Sequence, residues 1–212
     1  DYNRQDWPQK DQYVQTILTR FRDDPTILAW DLKNEPNLDY PAAGKALVDS
    51  WLTHAAQLAH TYAPHHLLTI GWSNATAAQT RISHVNFVSF HYYLSVSELP
   101  YTYFALRTAI PDLPIVMTEF GLSTSKGTTT GYQHAEAEQA QYYAGILKFW
   151  RTTQSPGTFC WTLYDFNYIP NVFGNDPQQI EAQKHFGLVR TDGTLKPAAS
   201  QISSNTGFQY RN

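Results

Sequence analysis

A chain of 212 residues, 42% of them hydrophobic and 15% aromatic, carries enough apolar material for one sizeable core, which excludes a disordered segment. The net charge of −3 is not accompanied by any Lys/Arg-rich run, so nucleic acid is not an expected partner, and no apolar stretch approaches the roughly 20 residues that a membrane span needs. The single cysteine, Cys160, excludes an intramolecular disulfide and leaves the compartment undecided.

Taken in chain order, the pattern alternates helix and strand throughout, which predicts a parallel α/β sheet. The chain opens at Asp1 in a polar segment with no Met and no signal peptide, which reads as a processed or truncated start. Tyr13, Val14, Ile17, Leu18 and Phe21 recur at helical spacing, and Asp23-Asp24-Pro25 ends that helix. A strand is expected from Thr26 to about Lys33, then a helix from near Pro41 that stops before Pro64 and buries Leu47, Val48, Trp51, Leu52, Ala55 and Leu58.

Leu67 to Ser73 reads as a second strand and Phe87 to Tyr93 as a third, with a helix from Ser97 to Ile110 closed by Pro111. The strand PIVMTEF follows, then the polar loop STSKGTTTGY and a long helix from about Glu136 to Thr152. GTFCWTLYDF reads as the fifth and last strand. A loop with little periodicity is expected from Asn167 to Lys184, and then a short hairpin turning at Asp192-Gly193 and leading into a helix. No linker, repeat or low-complexity segment interrupts residues 1–212, so a single domain is expected.

Two of the strands run straight into a carboxylate. ILAWDLKNEPN ends near Glu35 and PIVMTEFG ends at Glu119, each followed by a strand-breaking Pro36 or Gly121. Barrel enzymes place their chemistry at the carboxyl ends of parallel strands, and glycoside hydrolysis needs one carboxyl as proton donor and another as nucleophile or base.

The motifs around these carboxylates identify a family. Asn34-Glu35-Pro36 resembles the motif that ends the fourth strand of clan A glycoside hydrolases, and TEFG at Thr118 to Gly121 resembles their seventh-strand nucleophile motif. SFHYY at Ser89 to Tyr93 resembles the sixth-strand His-x-Tyr of glycoside hydrolase family 5, the cellulase family. TFCWTLYDF is similar to the eighth strand with its tryptophan at Trp161, and FGLVRTDGTLKPAA to the ending of these barrels. The resemblance covers essentially the whole chain in the expected order. It implies a (β/α)8 TIM barrel of which this chain supplies strands four to eight. Three βα units, with a supporting arginine on the second strand, precede the NEP strand in the family and have no counterpart here. Either the first part lies on a second chain or fragment, or the barrel is open; a truncated or proteolysed product is the preferred reading, and residues 1–212 are then a catalytic barrel domain incomplete at its N-terminus.

The resemblance further implies retaining hydrolysis of β-linked glycans of the β-1,4-glucan or mannan type, on an oligo- or polysaccharide substrate, with no cofactor and no metal, and favours a secreted or extracellular protein. Glu35 is then the general acid/base, which must hold a proton at working pH, and Glu119 the nucleophile; the plain alternatives are a capping carboxylate and a surface glutamate. Asn34 resembles the residue that hydrogen-bonds the sugar 2-hydroxyl, and Tyr93 would donate to Glu119. His91 shares a strand face with Tyr93 as a substrate-site residue, or is a hydrogen-bonded core histidine. Trp161 would floor the sugar at the cleaved bond, Trp72 is a weaker subsite candidate, and Asp165 could meet a sugar hydroxyl.

Asp31 and Lys33 alternate with apolar neighbours and are expected to point inward and pair. His65-His66 have no carboxylate at ligand spacing, and the Ser123 to Thr130 loop is expected to be solvated. Two rivals remain open: a non-catalytic carbohydrate-binding or open-barrel remnant, and a transglycosylase with the same carboxylates.

Overall fold

The computed structural model describes residues 2–125, 133–153, 155–170 and 176–206, with side chains described up to 203. The chain resolves into two compact units, one of residues 1–92 and 102–118, the other of residues 93–101 and 119–212.

In the first unit, helix α1 (Trp7–Phe21) starts with Pro8 in its first turn, where a missing N–H costs nothing. It buries Leu18 against Ala59, Ala63 and Leu68, with Val14, Trp30, Leu32 and Tyr62 packed round them. After strand β1 (Ala29–Asn34), a 3-10 turn (Pro36–Asp39) and the short α2 (Tyr40–Ala43) lead into α3 (Lys45–Tyr62). Gly44, at φ +83°, makes the break between the two helices. Val48, Leu52, Ala55, Ala56 and Ala59 form the buried stripe of α3 at the spacing of an amphipathic helix.

Strands β2 (Leu67–Trp72) and β3 (Val88–Tyr92) and the strand β4 (Ile115–Phe120) complete a sheet of order β1-β2-β3-β4. β1 pairs parallel with β2 and β2 with β3. β3 is buried along its whole length and β2 beyond its first residue, as parallel strands covered on both faces should be, whereas β1 lies at the edge and is only partly covered. Helix α4 (Leu99–Ala109) precedes β4, and Arg107 donates to the carbonyls of Ile110 and Leu113 to close the turn between them.

The second unit is built on α5 (Glu136–Trp150), whose Tyr143, Ile146 and Trp150 are buried and whose Glu138 carboxylate accepts from the Ala135 N–H at the helix start. Phe120 stacks at a tilt on Tyr143 with ring centres 4.9 Å apart. Segment 157–166 departs from the expected fifth strand. It forms no extended strand and is tied on one side by the Phe120 N–H to Phe159 carbonyl and Trp161 N–H to Phe120 carbonyl bonds, and on the other by backbone bonds to residues 184–189 that include a bridge from Tyr164 to Val189. The expected loop before Lys184 contains a helix, α6 (Pro177–Gln183), where the Asp176 side chain accepts from the Gln178 N–H. The C-terminal hairpin is present: Val189 bridges Leu195 around a turn with Gly193 at φ +85°, and α7 (Pro197–Thr206) follows.

Candidate functional site

Asn34 and Glu35 stand at the carboxyl end of β1, where the register with β2 shifts between Asp31 and Asn34. Glu35 adopts the left-handed conformation at φ 48°, sparsely populated for a residue with a Cβ, and its N–H donates to the Gly71 carbonyl at 2.6 Å. Pro36 then starts the 3-10 turn. The result is a glutamate turned out of the strand on a fixed backbone, a quarter exposed, with Oε1 2.8 Å from His91 Nδ1. His91 itself is 3% exposed. The imidazole is therefore a buried, hydrogen-bonded partner of Glu35, in keeping with the second of the two readings that the sequence left open for it. Asn34 is exposed and its carbonyl accepts from Lys33 Nζ at 3.1 Å.

Trp72 is 3% exposed. Its ring faces are covered by the chain's own atoms, so the subsite platform expected there is absent. Asp31 does not pair with Lys33 through its side chain: its carboxylate accepts from the N–H groups of Gly71 and Lys33, and Lys33 Nζ lies 3.4 Å from Asp39. The cause is the register shift, which breaks the period-two alternation after Asp31. The residue retains open surface at the sheet edge, yet the protein crowded round its carboxyl pushes its pKa up, against the pull of the Gly71 and Lys33 N–H groups and of His91. His66 is held structurally, between Trp30 Nε1 at 2.9 Å and the Asp24 carbonyl at 3.1 Å.

In the second unit, Glu119 accepts a hydrogen bond from the hydroxyl of Tyr93. Tyr93 is 39% exposed and its ring meets Phe186 edge-on with centres 5.8 Å apart. Trp161, half-buried, precedes a cis peptide to Thr162, donates from Nε1 to Gln183 Oε1 at 3.3 Å and lies at a tilt to Phe166. Gln183 was hidden in the segment expected to be a loop; the Asp-Pro start of α6 was its available signal.

Asp165 is not open to a sugar hydroxyl. Its side chain is 8% exposed and its Oδ1 accepts from Lys196 Nζ and the Gly187 N–H, both at 2.8 Å. Ser123, Thr124 and Ser125 are buried rather than solvated, and Ser123 Oγ donates to the Ala182 carbonyl at 2.7 Å; residues 126–130 of that predicted loop lie outside the described residues. The structure thus brings Glu35 to His91 in one unit and Glu119 to Tyr93 in the other.

A parallel sheet with helices in its crossovers is the frame of a (β/α) barrel, and solved structures share it. A β-glucuronidase of Faecalibacterium prausnitzii superposes with a TM-score of 0.68 at 19% identity over 94% of this chain and 35% of its own. A thermostable mutant of a xylanase from Cellvibrio japonicus gives 0.65 at 15% identity over 94% of this chain and 71% of its own. These likenesses establish the fold as part of a (β/α)8 barrel.

The family model for GH family 5 beta-mannosidase-like proteins matches residues 11–104. Mannan endo-1,4-beta-mannosidase 1 of Oryza sativa subsp. japonica is 32% identical over 113 residues, 47% of this chain and 26% of the rice protein. Mannan endo-1,4-beta-mannosidase 5 of Arabidopsis thaliana is 24% identical over 75% of this chain and 49% of its own length. The chain is a relative of glycoside hydrolase family 5 within clan A, and it spans between about a quarter and a half of these two curated relatives.

Proposed function

We propose that this protein hydrolyses a β-linked glycan with retention of configuration, and that the glycan is a β-1,4-mannan. The reading is carried by the construction around Glu35: a glutamate locked in the left-handed conformation at a strand end, with a buried histidine 2.8 Å from its carboxylate. The mannan assignment is supported by the relatives, which are named as mannan endo-1,4-beta-mannosidases.

In this reading Glu119, held by the Tyr93 hydroxyl, attacks the anomeric carbon and expels the leaving oxygen, which Glu35 protonates. Water then attacks the glycosyl-enzyme ester, gives its proton to the Glu35 carboxylate and releases the sugar. Exposed Asn34 donates to the 2-hydroxyl, and Trp161 provides an apolar face beneath the sugar ring.

The test is sugar release from β-mannan, β-glucan and aryl β-glycosides, by the native protein and by Glu119→Ala and Glu35→Gln variants with added azide. Expected are mannan preference and a β-glycosyl azide product from an activated aryl glycoside with Glu35→Gln. Glu119→Ala should give at most the α-glycosyl azide. Release that survives Glu119→Ala unchanged refutes the assignment.

A further inference from the structure

Just past Glu119 the chain is stitched to the segment that follows α6, all within the second unit. Ser123 Oγ donates to the Ala182 carbonyl at 2.7 Å and the Thr124 N–H to the His185 carbonyl at 3.0 Å. Gln139, fully buried on α5, adds a third tie. Its Nε2 lies 2.9 Å from the Leu122 carbonyl oxygen, 3.3 Å from that of Phe186 and 3.4 Å from that of Gly187. Three carbonyls around one atom require it to be the nitrogen, and Oε1 has no partner among the described residues.

Phe186 carries this block to Tyr93. It is 5% exposed, and its ring lies edge-on to the Tyr93 ring with centres 5.8 Å apart. The same ring rests against Gly121, where a Cβ would stand 3.0 Å from Phe186 Cδ1. Gly121 is two residues beyond Glu119, whose carboxylate accepts the Tyr93 hydroxyl.

We propose that Phe186 is a positioning residue for the nucleophile, acting through Tyr93: anchored by the Gln139 amide and set against both Gly121 and the Tyr93 ring, it keeps the Tyr93 hydroxyl on the Glu119 carboxylate. This rests on the assignment of Glu119 as the nucleophile.

Two torsions aim the hydroxyl of a tyrosine. Tyr93 is 39% exposed, and solvent restrains neither torsion on its open side. An edge-to-face contact favours one ring orientation through the ring quadrupoles, and a buried partner fixed at its backbone imposes that orientation. The hydrogen bond to Glu119 then forms without the entropy cost of stilling a mobile ring. A carboxylate that must meet an anomeric carbon gains from such a fixed donor, since a misplacement of about 1 Å can cost roughly 100-fold in rate.

The first measurement is the Cζ resonance of Tyr93 by NMR on the tyrosine-labelled chain, assigned by its loss in Tyr93→Phe. This carbon bears the hydroxyl and reports its hydrogen bonding. Glu119→Ala gives the position of the resonance without the carboxylate, and a native resonance that coincides with it overturns the proposal. Phe186→Leu keeps an apolar side chain but loses the ring edge. It should move the resonance from the native position towards that of Glu119→Ala, in a chain shown to be folded by its thermal midpoint. An unmoved resonance overturns the proposal. Gln139→Met, which removes the amide ties at similar side-chain length, should move it the same way by less; no movement there overturns the anchoring by Gln139.

Activity on mannan separates aiming from plain packing. Phe186→Leu should lower kcat by roughly 2–10-fold at unchanged KM, the fold-change that corresponds to one edge-to-face pair. In a Tyr93→Phe background it should cost little further, because no hydroxyl is left to aim. Equal losses in both backgrounds overturn the proposal. The α-glycosyl azide from Glu119→Ala is read separately. Its formation with an unmoved resonance refutes the role of Phe186 alone. A moved resonance with sugar release that survives Glu119→Ala refutes Glu119 as the nucleophile, and with it the catalytic part of the proposal.

Discussion

Lys196 is the keystone of the second unit, and its replacement has a calculable cost. Its side chain is 1% exposed and that of Asp165 is 8%, with Nζ 2.8 Å from Asp165 Oδ1. The remaining two ammonium protons have acceptors in Thr124 Oγ1 at 3.0 Å and the His185 carbonyl at 3.1 Å. All three donors of the ammonium are therefore used, and Asp165 has a further donor in the Gly187 N–H. Taking two ions out of water costs several kcal/mol each, and their attraction with these hydrogen bonds offsets that only while both are present.

Lys196→Met keeps the unbranched side chain to within one atom but strands Asp165 in the interior with one backbone donor. The expected loss is about 3–5 kcal/mol, a large share of the roughly 5–15 kcal/mol by which domains are stable. Adding Asp165→Leu removes the second charge and should recover most of the loss, short of about 1–3 kcal/mol for the Gly187 N–H left without its acceptor. Urea unfolding followed by tryptophan fluorescence gives both numbers. A single variant that loses less than about 1 kcal/mol, or a double variant no more stable than the single, refutes the account of a mutually dependent buried pair.

Three further outcomes are expected. A Cβ at Gly121 would lie 2.2 Å from the Trp161 carbonyl oxygen, a backbone atom without freedom to withdraw, so Gly121→Ala should cost about 1–3 kcal/mol and lower the thermal midpoint; an unchanged midpoint would contradict the close approach. Tyr93→Phe removes a hydroxyl donor to a carboxylate, a bond of about 1.5–3 kcal/mol, and should lower kcat/KM on mannan by roughly 10–100-fold with unchanged unfolding; equal activity would remove Tyr93 from the site. Burial and the Asp49 carboxylate push the Tyr40 hydroxyl up to about 12. The folded protein then holds this proton to higher pH than the unfolded chain. The stabilisation is complete below about pH 10 and is lost as pH rises towards 12, so Tyr40→Phe should flatten the alkaline fall in stability seen by urea unfolding.

The four sheet strands were legible because each holds or directly follows a short stretch of apolar and β-branched residues, Thr26 to Leu28 in the case of β1, and the observed ends lie within about three residues of the expected ones. The Glu35 and Glu119 positions were legible for the same reason: each stands at or just beyond the end of such a run, before a Pro or Gly. Segment 157–166 was misread because alternating aromatic residues favour any extended chain. Whether extended chain becomes a strand depends on a neighbour offering a continuous ladder, and here the backbone bonds are divided between Phe120 and the irregular segment 184–189. Helix α6 was missed because its seven residues are too few to show a period, although Asp176-Pro177 marked its start.

What a strand end carries was thus written in the local sequence; of what its side chains touch, the family resemblance supplied the Tyr93–Glu119 hydrogen bond and little else. Asp31 and Lys33 alternate as a pair pointing one way, and a register shift against β2 sends Lys33 to Asp39 and Asp31 to Gly71. Trp72 reads as a sugar platform and is covered; Asp165 reads as a site carboxylate and is bound to Lys196. His91 was placed with Tyr93 by strand alternation, but its Nδ1 meets Glu35. Propensity and period are properties of one segment, so one segment reveals them. A buried hydrogen bond or ion pair needs donors and acceptors from segments 30 to 60 residues apart in this chain, and only the packed fold brings them within 3 Å.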